Sequence, residues 1–165
     1  MKTATGLIIS VLFFISCSRY GIVENKVYVR QSRSGTIRTN DNGKAMSSAP
    51  GKEYLIYVET DSSKPSVQWE TAWVEQKPYS IRPIEITNPN QVIGKSGDGK
   101  EVVMNAKNGN RLWQLVLMPS TTSIADAKLQ QKIDNTKILL AGLWKGKDFT
   151  YKISKEYELQ PLDFQ

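Results

Sequence analysis

Ser66-Val67-Gln68-Trp69-Glu70-Thr71-Ala72-Trp73-Val74-Glu75-Gln76 is the stretch on which the fold turns. Successive side chains of an extended strand point to opposite faces. Val67, Trp69, Thr71 and Trp73 therefore fall on one face, with Gln68, Glu70, Ala72, Val74 and Gln76 on the other. The tryptophan face is the more apolar, so the pattern predicts a strand with both indoles turned into a core. An exposed pair at this spacing would instead stack on sugar rings, which makes Trp69 and Trp73 the candidate ligand-stacking residues of a carbohydrate-binding module.

The same period of two extends along most of the chain. Strands are predicted over Val23–Gln31, Glu53–Thr60, Tyr79–Thr87, Gln91–Lys95, Glu101–Ala106, Arg111–Met118, Thr136–Trp144 and Phe149–Leu159, with a short segment at Thr36-Ile37-Arg38. Pro83 cannot donate to a ladder, so Tyr79–Thr87 is expected at a sheet edge or in two pieces. Turn residues separate these runs at Asn40-Asp41-Asn42-Gly43, Pro50-Gly51, Asn88-Pro89-Asn90, Asn108-Gly109-Asn110 and Lys145-Gly146-Lys147. One helix is predicted, capped by Ser123 with Asp126 as its capping-box partner, and with Ala125, Leu129 and Ile133 on one face. The expected fold is all-β, an antiparallel β-sandwich of immunoglobulin-like or transthyretin-like plan with one short helix.

Composition removes whole classes of chemistry. The chain has no histidine and one cysteine, Cys17. The usual general base, the commonest zinc ligand and every Ser-His or Cys-His nucleophile arrangement are thereby absent. Hydrolysis would need a pair of carboxylates. Glu70 and Glu75 fall on opposite faces of their strand, and spacing singles out no other acidic pair. The expectation is a protein that is not an enzyme and that needs no cofactor and no metal, with a carboxylate-based hydrolase as the remote alternative.

The first residues have the layout of a secretory signal. Lys2 supplies the positive start, Leu7–Ile15 the apolar run and Ser16 the small residue before Cys17. Spanning a bilayer takes roughly 20 apolar residues, about twice this run. Phe14-Ile15-Ser16-Cys17 resembles the lipobox of bacterial lipoproteins, with Phe14 in place of the usual Leu. The resemblance implies a signal peptide over residues 1–16, cleavage before Cys17, and two or three acyl chains on the new terminus, enough for lasting membrane attachment. In enterobacterial lipoproteins an Asp after the cysteine favours the inner membrane, and Ser18 stands there. Ser18-Arg19-Tyr20 also lacks the acidic run that resembles a surface-export signal in some Bacteroidetes lipoproteins. Together these imply the outer membrane, facing the periplasm.

Cleavage would leave 149 of the 165 residues, a comfortable size for one core. Residues 17–22 would form the tether, and residues 23–165 a single sandwich domain.

Charge is unevenly distributed. Residues 17–52 hold Arg19, Lys26, Arg30, Arg33, Arg38, Lys44 and Lys52 against Glu24 and Asp41, an excess of five positive charges. Residues 53–165 hold 14 basic and 14 acidic side chains. This asymmetry makes Arg30, Arg33 and Arg38 the candidate contacts to anionic head groups or an acidic partner. Nucleic acid is not an expected partner of an exported chain.

Two motif-like runs resolve into turns. Gly94–Lys100 fits the first seven positions of a phosphate-binding loop, but the eighth is Glu101 and the sequence beyond reads as a strand rather than a helix. Asn40-Asp41-Asn42-Gly43 would place Arg38 first in a calcium loop, and no Glu closes it. The function expected from the whole is that of a non-enzymatic lipoprotein domain that binds another envelope component. In size, anchor and expected plan the chain resembles accessory lipoproteins of type VI secretion machines, and a carbohydrate-binding lipoprotein is the alternative.

Overall fold

The computed structural model describes residues 19–32, 38–39, 45–46, 51–88, 90–121 and 126–162. Among the described residues the fold is all-β and sandwich-like with one short α-helix, its main sheet curled into a half-barrel. In chain order the strands are β1 (Ile22–Ser32), β2 (Arg38–Thr39), β3 (Ala45–Met46), β4 (Lys52–Asp61), β5 (Val67–Val74), β6 (Lys77–Ile86), β7 (Gln91–Lys95), β8 (Glu101–Met104) and β9 (Asn110–Pro119). Helix α1 (Ala127–Asp134) follows, then β10 (Ile138–Trp144), β11 (Lys147–Ile153) and β12 (Tyr157–Leu162).

Eight strands form the main sheet in the order β11-β10-β5-β6-β9-β4-β1-β12. Neighbours are antiparallel except β1 and β12, which run parallel with Tyr28 opposite Tyr157. The segment expected as one strand over Phe149–Leu159 is thus two strands. Of these, β11 completes a hairpin with β10, and β12 crosses to the opposite edge of the sheet.

Curling brings the two limbs of the sheet face to face. Val27 and Val29 of β1 and Ile56 and Val58 of β4 pack in one buried cluster with Trp69, Ala72, Val74, Ile138, Leu140, Phe149 and Ile153. The Asn25 side-chain amide donates to the Tyr151 hydroxyl at 2.7 Å, tying β1 to β11 across the core. The outer face has two covers. The β7–β8 hairpin lays Ile93 and Met104 over Tyr28, Tyr57, Leu112 and Leu159, while α1 lays Ile133 and Leu129 over Trp73, Leu139 and Ala141.

Trp69 and Trp73 therefore do not share a face. Trp69 pairs with Gly142 and Thr71 with Ala141, so Glu70 is an extra residue in the β5–β10 ladder. One extra residue reverses the alternation beyond it. Ala72 and Val74 consequently enter the inner core, and Trp73 lies beneath the helix.

Pro83 corrects a second expectation. β6 lies between β5 and β9, inside the sheet. Its pairing with β5 ends at Ser80, however, while pairing with β9 continues to Ile86. Pro83 sits where one side of the strand has no neighbour, so its missing N–H costs no ladder bond there.

The helix also starts later than its sequence signal. Asp126 is the N-cap and its carboxylate accepts from the Lys128 backbone N–H at 2.8 Å. Ser123 and Ala125 lie outside the described residues. Ile133 is fully buried at the other end.

Gly94–Lys100 is a hairpin turn, as its sequence indicates. The Ser96 N–H donates to the Lys100 carbonyl and the Gly99 N–H to the Ser96 carbonyl, both at 2.8 Å. Asn40–Gly43 lies outside the described residues.

Candidate functional site

The chain enters the fold abruptly. Tyr20, in a 3-10 turn over Arg19–Gly21, has a φ of 66°, and its ring packs 4.7 Å from Phe149 and 5.7 Å from Trp144. Gly21 also takes a positive φ, of 71°, with its backbone pressed against Lys64, whose Cβ would lie 2.9 Å from any Cβ placed there. Two elements therefore border the entry point: the β4–β5 turn carrying Lys64 and the β10–β11 turn carrying Lys145 and Lys147.

The β10–β11 hairpin is closed by Lys145 and Gly146 alone, at φ 54° and 70°, as a two-residue turn requires. Lys145 extends its amine over the Trp144 ring, 4.5 Å from the centroid. Lys64, Lys145 and Lys147 are all exposed, and among the described residues none has a carboxylate at salt-bridge distance. Asp61, the carboxylate that Lys64 approaches, is held below the usual carboxylate range by the Ser63 hydroxyl and backbone N–H. Lys107 at the same end is engaged with Glu24 at 3.1 Å. Burial opposes ionisation of Glu24, but bonds from Lys107 and Lys26 outweigh it and keep that carboxyl below its ordinary value.

Arg30 lies elsewhere. It is eight residues beyond Ile22 along β1, about 26 Å at the usual rise per residue. Its guanidinium donates twice to one Glu53 carboxylate oxygen, at 2.9 and 2.6 Å, and its side chain is 13% exposed. Arg30 is thus a cross-strand partner of Glu53 rather than a free cation. Arg33 lies outside the described residues. Arg38 belongs to β2, with its side chain likewise outside them.

The same far end carries a second polar group. Glu75 accepts from Lys52 at 3.0 Å and from the Tyr54 hydroxyl at 2.8 Å. These bonds hold its carboxyl low, while burial and then the Glu75 bond push the Tyr54 phenol up. Here the main sheet forks. β4 pairs with β9 only from Ile56–Leu115 downward. Above that point, among the described residues, β4 pairs only with β1 and β9 only with β6. A crevice of about 320 Å³ opens between them, lined by Tyr54, Leu55, Tyr79, Val116, Leu117 and Pro119 among others.

A cleft of about 540 Å³ with a mixed lining runs beside α1. Trp73 lines part of it, while its indole N–H is buried and has no partner among the described residues. Glu70, Asp126 and Asp148 bring carboxylates and Lys128 and Lys132 amines. Asp126 is committed to capping and Lys132 to the Thr150 hydroxyl at 3.1 Å. The bulge at Glu70 shapes this cleft, and no strand pattern in the sequence marks that bulge. Neither Trp69, at 7% exposure, nor Trp73, at 4%, offers an open ring face for stacking.

Among the described residues no group of three or more His, Cys, Asp or Glu side chains is placed to hold a metal ion. No described helix is long and apolar enough to cross a membrane. No protein-family model matches the chain, and no curated protein or solved structure matches it. The structure defines the class by architecture alone, an all-β sandwich-like domain with one short helix.

Proposed function

We propose that the protein is a non-enzymatic lipoprotein of the cell envelope, anchored through acylated Cys17, that binds another envelope component in the manner of an accessory to a secretion-type assembly. The observation that carries this reading is the docking of Tyr20. Only three residues after the cysteine of the lipobox-like Phe14–Cys17, the chain is already packed against Trp144 and Phe149. At ~3.6 Å per residue such a link spans at most about 11 Å. The anchor and the folded body therefore act as one unit, with no stalk between them.

The fork between β4 and β9 supports the partner half of the reading. It lies at the end of the sandwich remote from Tyr20 and presents strand edges that have no neighbour among the described residues. An extended segment of a partner can add to such edges through main-chain hydrogen bonds.

Two measurements test the proposal. Mass spectrometry of the mature N-terminus is expected to show acylated Cys17, and an unmodified thiol refutes the anchor. A photo-crosslinking side chain at Leu55 is expected to capture a stoichiometric envelope protein in intact cells. Capture from the α1 cleft, and none from Leu55, would refute the fork as the docking place.

One observation favours a second reading, binding of a carbohydrate. Glu70 and Asp148 line a single cleft beside α1. Carboxylates suit hydroxyl-rich ligands by hydrogen bonding rather than by stacking. A glycan-array signal lost in Glu70→Gln and Asp148→Asn would support it, and absence of any signal would remove it.

A further inference from the structure

We infer that the turns carrying Lys64, Lys145 and Lys147 form a membrane-facing basic surface that seats the anchored domain on anionic head groups in one fixed orientation. The inference rests on the anchored reading of Cys17. It goes beyond that reading by naming the surface, which is not the arginine-rich segment next to the anchor in sequence.

Two independent placements converge on it. The first is covalent. Three residue-to-residue steps from Cys17 to Tyr20 confine the lipid to within about 11 Å of Tyr20, and Tyr20 packs directly on Trp144, the residue before Lys145. The second is electrostatic. Lys64 lies against Gly21, and Lys145 in the two-residue turn and Lys147 at the start of β11 stand at the end of the hairpin beside Tyr20. All three amines are exposed and without a carboxylate at salt-bridge distance among the described residues. The acidic groups facing them are Asp61, already bonded to Ser63, and Asp148, which flanks Lys147 on the opposite face of β11.

At the far end Arg30, Lys52 and Lys137 are paired with Glu53, Glu75 and Glu156. Lys77 and Lys155 there are exposed without a carboxylate at salt-bridge distance among the described residues, so it is the nearness of the lipid to Tyr20 that selects the Lys64, Lys145 and Lys147 end. An anionic surface close to Tyr20 therefore meets three free amines and few competing charges. The half-buried Trp144 ring lies among them, a residue type suited to the head-group level of a bilayer.

The test uses the full lipidated protein on vesicles of phosphatidylethanolamine with or without phosphatidylglycerol, read by amine acylation and by hydrogen exchange. On anionic vesicles, acylation of Lys64, Lys145 and Lys147 should fall about fivefold, the shift that one basic contact to such a surface corresponds to. Lys77 and Lys137, at the far end, should label as before. Protection should fade in about 1 M salt, where the Debye length shrinks to about 3 Å.

The variant carrying Lys64→Glu, Lys145→Glu and Lys147→Glu should lose protection of its turn amides, while an unchanged circular dichroism spectrum shows that it is folded. Equal labelling at both ends, with Cys17 shown acylated by mass spectrometry, overturns the orientation and leaves the anchor standing. Protection that appears only when an envelope protein extract replaces the anionic lipid also overturns it, assigning the surface to a protein. An unmodified Cys17 removes the anchor and the inference together.

Discussion

Replacing Gly142 by alanine tests the bulge that shapes both the core and the α1 cleft. A Cβ at Gly142 would lie 2.0 Å from the Gln68 carbonyl oxygen, 3.0 Å from its carbon and 3.2 Å from the Trp69 Cα. Even close C···O contacts across a sheet lie at about 3.3 Å, so β5 and β10 would have to part by roughly 1.3 Å. The obstructing atoms are backbone, and no flexible side chain can swing aside. Overpacking typically costs 1–3 kcal/mol, and this geometry points to the upper limit, about 3 kcal/mol. For a domain of this size that is a fall in Tm of about 6–12 °C.

Urea and thermal unfolding, followed by tryptophan fluorescence, would measure the loss. Gly97→Ala is the internal control, because nothing lies within 4 Å of a Cβ there and its φ is not positive. That variant should stay within about 0.5 kcal/mol of the parent. If Gly142→Ala unfolds together with Gly97→Ala, the close strand approach at the bulge is wrong, and so is the assignment of Trp69 and Trp73 to opposite faces.

Three further outcomes are expected. Asp126→Ala should cost about 1 kcal/mol through loss of the α1 cap and Asp126→Asn much less, measured by the same unfolding curves; equal losses would refute the cap. A double-mutant cycle with Arg30→Gln and Glu53→Gln should give a coupling of about 0.5–1 kcal/mol, whereas zero coupling with weakened vesicle binding would return Arg30 to the membrane. The folded-state pKa of Glu75 is depressed below 4.5, first by the Lys52 bond and then by Tyr54. Its contribution is therefore present above 4.5 and lost as pH falls through the depressed value, so a Lys52→Met variant should differ from the parent near neutrality and converge with it in acid. A difference that persists unchanged in acid would exclude the ion pair as its source.

The all-β class, the existence of one helix and nearly every strand are read from periodicity alone, because alternating burial is imprinted residue by residue. Val27 and Val29 of β1 and Ile56 and Val58 of β4 stand at alternate positions of strands read from the sequence, and all four are inward in the structure. Turn chemistry likewise marks the Gly94–Lys100 hairpin. What the pattern misses is the single-residue register of β5. Glu70 is added where a continuing alternation is equally consistent with the sequence, and its consequence appears only opposite Gly142 of a strand some seventy residues later. The split of Phe149–Leu159 into β11 and β12 is missed for a related reason. Each half is a good strand by itself, and only pairing with β10 and β1 separates them.

Charge shows the difference most directly. The sequence determined that the chain lacks histidine, that its one thiol stands in a lipobox-like setting, and that its excess of positive charge lies in residues 17–52. It could not determine where that charge would stand, because β1 runs away from Tyr20 and carries Arg30 to Glu53 at the far end. The lysines that end beside Tyr20 come from distant parts of the chain, brought there by the antiparallel return of β4 and the β10–β11 hairpin. Local periodicity is written in neighbouring residues. Long-range proximity is set by strand pairing and curling, which only the tertiary structure decides.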